Sequence, residues 1–559
     1  MRDRLLRGLV WSGAALVAIT EGLGAFGLLR PVPVAICWVV VLALAFREWQ
    51  RIPLKLPRFD PVVVGFCAAI GAILAVTVVI AAYSPPNSSD AMAYHMPRVV
   101  YWAEQASIRF FPTSYLNQIM LQPAAEYAML HTYLLSGGDR FVNFVQWIAA
   151  AMSIAGVSAI AAELGANARG QAFAALFCAT LPSGILASTG AKNDYFMAMW
   201  LAAAVYFAFR GRALYMGTAL GLALLTKGTA YLFAPWLLAL VWKGPKRPLL
   251  AGAAVCLAIN VPQYARNYEL SGSVLGFDSA QGDGMFRWRN ETFGWRETAS
   301  NILRNASEQM GDRNERWNQR VYGWVVAAHR QIGMDVSDPR TTWQFASFTP
   351  PRSARNHEAD ANSRWHLAIL LVVTCALVWR DRRRTGYTAA ILCGFLAFCF
   401  YLKWQPFQAR MFLPLIVLAA PLAATRSTVL QVALGLFLLS ELKPPLFENW
   451  IRPLRGPNNV LRVPREQQYF ADMTAWKHTW PSYWKAVDSV VASGCHTIGI
   501  DSNTYTLEYP LQALIRARVP EAKFVHTGVR NASAKYAPPV DTAPCLSLRL
   551  TEGPEGFLQ

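Results

Sequence analysis

The sequence predicts an all-α polytopic membrane domain of about thirteen spans, with external juxtamembrane helices and a small C-terminal α/β domain. Three observations lead there. Of 559 residues, 54% are hydrophobic and 15% charged, which is too skewed for a large soluble core. The charges are gathered rather than spread: Val62 to Tyr83 and Trp365 to Trp379 hold almost none, while Arg380 to Arg384 are charged without a break. The loops between apolar stretches also alternate, basic then neutral, as positive-inside anchoring requires.

In chain order, spans are expected near Leu9–Leu29, Val34–Phe46, Val62–Ala82, Phe141–Ala162, Ala168–Ala187, Phe196–Phe209 and Ala213–Leu225. Further ones follow near Tyr231–Trp242, Leu249–Tyr264, Leu367–Trp379, Tyr387–Leu402, Met411–Ala424 and Thr428–Leu442. Met1 to Arg7 is basic and lacks a small-residue cleavage site, so the first span is expected to be retained. With the N-terminus inside, Arg47, Arg51, Lys55 and Arg58 fall in a cytoplasmic loop. So do Arg210 and Arg212, then Lys243, Lys246 and Arg247, then Arg380 to Arg384. The Asn267–Arg364 segment falls outside, with twelve Arg against twelve Asp plus Glu. An odd number of spans leaves the C-terminal tail outside too. The chain thus divides into two N-terminal spans (1–60), a transmembrane domain (61–442) with external loops 84–140 and 267–364, and a soluble extracytoplasmic α/β domain (443–559). The bilayer expected is an inner, or plasma, membrane.

The loop at 84–140 opens on Pro85-Pro86 and closes on Gly137-Gly138, with apolar residues at helical spacing between them. Short helices lying on the membrane surface are expected there. The loop at 267–364 is rich in Arg, Asn, Trp and Gly and shows no regular pattern. In the tail, His496–Asp501 and Cys545–Leu550 read as strands and Leu507–Arg518 as a helix. Seven cysteines lie in apolar segments as small hydrophobes. Cys495 and Cys545 lie in the polar tail, where pairing depends on the compartment. The net charge of +18 sits at the ends of apolar segments and forms no stripe with interleaved aromatics, which argues against nucleic-acid binding.

Three short segments carry the chemistry. In Ser88-Ser-Asp-Ala-Met-Ala-Tyr-His-Met-Pro-Arg98, Asp90 follows a span exit by a few residues, beside Tyr94, His95 and Arg98. It reads as a helix N-cap, as a carboxylate at the membrane face, or as both. Thr189-Gly-Ala-Lys-Asn-Asp-Tyr195 is a tight external turn in which Lys192, Asn193 and Asp194 are turn residues or site residues. A charge at mid-span would cost ~2.5–3.5 kcal/mol, so Lys192 and Asp194 belong at an interface or in a polar cavity. Lys403-Trp-Gln-Pro-Phe-Gln-Ala-Arg410 is another external turn. There Lys403 and Arg410 either anchor the interface or hold a phosphate, with Gln405 between them. Lys227 and Arg266 fall on the same face and extend a cationic rim. His357, Glu358 and Asp360 look like a metal site, but their irregular setting favours a solvated face. Asp501 and Glu508 read as a strand-end cap and a solvated helix face.

These three segments resemble the external loops of GT-C glycosyltransferases, specifically the bacterial protein O-mannosyltransferase and aminoarabinose-transferase group. The resemblance runs from about Pro61 to Leu442. It departs in the two spans before Val62, where the family's acidic loop follows the first span. It implies a glycosyltransferase that takes a polyprenyl-phosphate-linked hexose or pentose outside the cytoplasm and inverts its anomeric centre. Asp90 would be the general base, its pKa raised by partial desolvation, and Asp194 would orient the acceptor or assist. Arg98, Lys192, Lys403 and Arg410 would neutralise the departing lipid phosphate. Tyr94, His95, Tyr115 and Glu126 would line the cavity. No cofactor is demanded, although a divalent metal is compatible with the superfamily. A transporter or flippase of lipid-linked sugars is the alternative, but it would place charges near the midplane and show related halves.

Overall fold

Over the described residues, each expected apolar stretch is largely helical in the computed structural model. The described residues are 1–49, 60–241, 244–276, 288–344, 346–352, 356–377, 381–471, 480–502, 506–537 and 543–550. Arg51, Lys55, Arg58, Lys243 and Arg380, on which part of the charge alternation rests, lie outside them.

Among the described residues, five helices are long and apolar enough to cross a membrane: Arg2–Ala25, Pro61–Tyr83, Phe144–Glu163, Lys246–Ser271 and Arg382–Tyr401. The other apolar stretches make shorter helices, and proline explains several of them. Ala168–Ala179 stops and Pro182–Ala187 restarts, because Pro182 has no N–H to continue the ladder. Pro235 lies inside Ala230–Leu238, which tightens into a 3₁₀ turn at Ala239–Val241. The stretch before Thr428 runs from a 3₁₀ turn at Gln408–Phe412 through Leu413–Ala419 to another at Ala420–Ala423. The first helix, the departure from the resembled pattern, is embedded in the bundle. A Cβ on Gly13 would stand 2.4 Å from the Trp200 ring, so Gly13 is what lets this helix approach so closely.

The 84–140 loop forms a π-helical turn at Ala91–His95 and helices at Met96–Gln105, Asn117–Met120 and Ala124–Ser136. These helices are enclosed within the protein, with Arg98 and Glu126 wholly buried. The C-terminal domain covers them. The 267–364 loop holds two helices that its composition did not announce, Trp295–Glu308 and Glu315–Ile332.

In the C-terminal domain, β1 (Thr497–Ser502) lies between β2 (Lys523–Thr527) and β3 (Leu546–Leu550) in an all-parallel sheet of order β2-β1-β3. Helices Trp480–Ser493 and Glu508–Arg518 pack with it. Cys495 and Cys545, at the starts of β1 and β3, form a disulfide. The domain docks on the 84–140 loop through Glu508, which is fully buried rather than a solvated helix face. Its carboxylate accepts from Tyr101 Oη at 2.6 Å, Gln118 Nε2 at 2.8 Å and Gln512 Nε2 at 2.8 Å. Arg516 pairs with Glu104, and Arg465 pairs with Asp139 at 2.9 Å.

Candidate functional site

The π-helical turn begins one residue after Asp90, and such bulges often re-aim a side chain at a functional site. The Asp90 side chain caps nothing here. Its Oδ2 instead lies 2.5 Å from Arg410 Nη2, bringing together segments 320 residues apart. The Arg410 guanidinium also faces Asp194 and Glu358 electrostatically. Asp194 pairs with Lys227, and Asn193 donates to Thr226 O at 3.3 Å.

Lys192 pairs with Glu358, whose other oxygen lies 2.8 Å from Arg452 Nη2. Arg452, wholly buried, also donates to Asn87 Oδ1 at 2.9 Å and Thr189 Oγ1 at 3.1 Å. A Cβ on Gly190 would meet the Arg452 guanidinium at 2.9 Å, so the turn requires glycine at its point of contact. Glu358 is therefore buried in an ion-pair network, and the expectation of a solvated face there is corrected.

Asp90, Lys192, Asp194 and Arg410 thus share one cluster with Lys227, Glu358 and Arg452. Four cations face three carboxylates. The cluster is graded in access. The side chains of Asp90, Arg410 and Lys227 are 17%, 19% and 18% exposed, while Glu358 and Arg452 close the other end at 6% and 0%. Burial pushes the Asp90 carboxyl up, but Arg410, Lys192 and His95 outweigh it and hold it below the usual carboxylate range. The expected raised pKa is corrected accordingly: desolvation acts as expected, but the Arg410 cation beside the carboxyl reverses the sign. Glu358 is likewise pushed up by burial and pulled down by Lys192 and Arg452, ending at about 2.

The remaining expected residues are divided. Tyr94 is half-buried next to Asp90, its ring 4.2 Å from His95 and 6.1 Å from Tyr115. Tyr115 accepts from Asn117 at 2.6 Å. Glu126 is enclosed, with Oε1 at 2.9 Å from His95 Nδ1 and 3.1 Å from Arg98 Nη1. Arg98 is therefore an internal strut, also donating to Gln118 O and Asn117 O, and is corrected as a phosphate ligand. Arg266 is bound to Glu21 of the first helix at 2.8 and 2.9 Å and to Tyr127 at 2.9 Å, so it makes no open rim. Lys403 is buried with Glu291 at 2.8 Å and Pro339 O at 2.7 Å, both from the 267–364 segment. Its chain neighbours Trp404 and Gln405 are buried in the same turn. The residues missed at the site are Glu358, Arg452 and Asn87. Of these the sequence singles out only Glu358, in an irregular setting that hides its role.

A divalent ion does not fit this donor set. Each of the three carboxylates is already engaged by Lys or Arg, and no group of three His, Cys, Asp or Glu side chains suited to a metal occurs among the described residues.

No family model matches the chain, and no curated protein matches it. It is similar in structure to ArnT from Cupriavidus metallidurans. The apo form aligns with 14% identity over 86% of this chain and 92% of that one, with a TM-score of 0.48. The form bound to undecaprenyl phosphate aligns with 15% identity over 81% and 74%, with a TM-score of 0.43. The archaeal oligosaccharyltransferase AglB from Archaeoglobus fulgidus, in complex with an inhibitory peptide and a dolichol-phosphate, aligns with 13% identity over 68% and 55%, with a TM-score of 0.39. All of these alignments are shallow in identity and in superposition.

Proposed function

We propose that this chain is an integral-membrane glycosyltransferase that moves a hexose or pentose from a polyprenyl-phosphate donor to an extracytoplasmic acceptor, with inversion. The observation that carries this reading is the graded cluster: a carboxylate at its accessible end, backed by more cations than acids. An excess positive charge in a partly dry site suits an anionic leaving group. The Cys495–Cys545 disulfide supports an oxidising, extracytoplasmic setting for residues 443–559.

In this reading the acceptor O–H or N–H gives its proton to Asp90 while its oxygen or nitrogen attacks the anomeric carbon. The bond from that carbon to the phosphate oxygen breaks, its electron pair leaves on the polyprenyl phosphate, and the configuration inverts. Asp90 paired with Arg410 is a poor base. When the donor's phosphate takes Arg410, Asp90 loses its closest cation and its basicity rises, so donor binding prepares the base. Lys192 and Lys227 share the developing phosphate charge, and Asp194 holds Lys227 in place.

Purified protein in lipid nanodiscs, supplied with a panel of polyprenyl-phosphate sugars and membrane-extract acceptors, tests this. Asp90→Asn is expected to lose sugar transfer by at least about a hundredfold, the scale of a lost general base, with expression and insertion intact. Wild-type turnover in that variant rejects Asp90 as the base.

A further inference from the structure

Glu358 belongs to no motif and comes from a turn that the sequence gives no reason to place at the site. Yet it is 5% exposed and joins two cations from distant segments, Lys192 through Oε1 and Arg452 through Oε2. Lys192 is electrostatically coupled to Asp90 as well, but its ion pair is with Glu358. A lysine is a compact charge on a flexible four-carbon stem, and its partner is set by where the nearest carboxylate stands. Two carboxylates compete for this one. Arg452 is fixed from behind by Asn87, Thr189 and the carbonyl of Leu186, so it draws Glu358 to the closed end, away from Asp90.

We propose that Glu358 is a positioning residue that holds Lys192 off Asp90 and balances the Lys192–Arg452 charge, so that the phosphate product is bound loosely enough to leave. It rests on the transferase reading above, because it concerns release of that reaction's product. With Glu358 charged, four cations face three acids; with it neutral, the same four face two. An anion would then be held more tightly and Lys192 would turn to Asp90, neutralising the base.

The probe is farnesyl phosphate, a short polyprenyl phosphate, with binding and turnover measured on full-length protein in nanodiscs. Glu358→Gln keeps the size of the side chain and removes its charge. It is expected to bind farnesyl phosphate at least about tenfold more tightly, the effect of one unbalanced charge in a partly buried site, while kcat falls by a similar factor. A merely structural role would weaken binding or leave it unchanged, and either result overturns the proposal. If Glu358→Gln does not fold, Glu358→Asp keeps the charge on a shorter arm. It is expected to bind farnesyl phosphate as the wild type does and to turn over more slowly; tighter binding there overturns the proposal. The double variant Lys192→Met/Glu358→Gln is expected to lose no more kcat than Lys192→Met alone, whereas additive losses count against action through Lys192. Wild-type protein that binds farnesyl phosphate but transfers no sugar rejects the transferase reading and leaves the binding arm to decide on Glu358. Wild-type protein that does not bind it overturns the Glu358 proposal directly.

Discussion

At Glu508 three donors converge on one buried carboxylate, and Gln118 carries the contact onward. Its amide donates to Glu508 and, at 3.0 Å, to Ala93 O inside the π-helical turn that follows Asp90. Glu508→Ala leaves Tyr101, Gln118 and Gln512 without that acceptor, at about 1–3 kcal/mol for each orphaned donor. Thermal unfolding in detergent is expected to show a lower midpoint; a wild-type midpoint would mean that the network adds no stability. The residues of the site were legible where the local chemistry was unusual. A carboxylate after a span exit, a charged turn between two apolar runs and an arginine in a proline-broken segment marked Asp90, Lys192, Asp194 and Arg410. Arg452 had no such signature, because what defines it is a partner 94 residues away. Lys403 had the signature of its motif, but its nearest acid came from a different loop.

The helix Met96–Gln105 is the element that connects the two halves of the molecule, reaching from the π turn to the C-terminal domain. Its Glu104 pairs with Arg516 and accepts from Phe524 N at 3.1 Å, yet burial outweighs both and pushes its carboxyl up to about 7. The sign follows. A carboxyl raised from 4.5 in the folded state binds a proton there that the undocked state has released, so docking weakens as pH rises from about 4.5 to 7. Hydrogen exchange across residues 96–105 and 508–518 is expected to show stronger protection at pH 5 than at pH 8; equal protection would exclude Glu104 as the cause. Elements with a clean period were the legible ones. The apolar helices, β1 and β3, and the helix at Glu508–Arg518 fall within a few residues of their expected places. The strand Lys523–Thr527 was missed because five residues with Lys, His and Thr carry little alternation to read. The Trp295–Glu308 helix was missed because it buries a polar face: Asn301 donates to the carbonyls of Cys399 and Leu402, and Arg304 donates to the carbonyl of Val336 and the hydroxyl of Thr342. The Glu315–Ile332 helix was missed because its buried face mixes Val321 and Val325 with Asn318 and His329.

Across the whole molecule, the C-terminal domain is tied to the bundle at several points, and the disulfide holds its sheet together across 50 residues. Replacing Cys495 and Cys545 with Ser is expected to cost the domain about 2–4 kcal/mol. It should then unfold in a separate transition at lower temperature, and a single unchanged transition would count against that. The outline of the fold was legible because apolar composition dictates helices. The way the loops close over one another was not, since ion pairs between distant segments leave no periodic trace. One of those pairs bears on how the protein is made. Arg452 lies beyond the last apolar helix, Thr428–Ser440, and it holds both Glu358 and the Thr189–Gly190 turn. A nascent chain therefore completes the segments that carry Asp90, Lys192 and Asp194 well before Arg452, which holds Glu358 and the Thr189–Gly190 turn, has been synthesised. The order of translation itself keeps the cluster incomplete until the last apolar helix has been made.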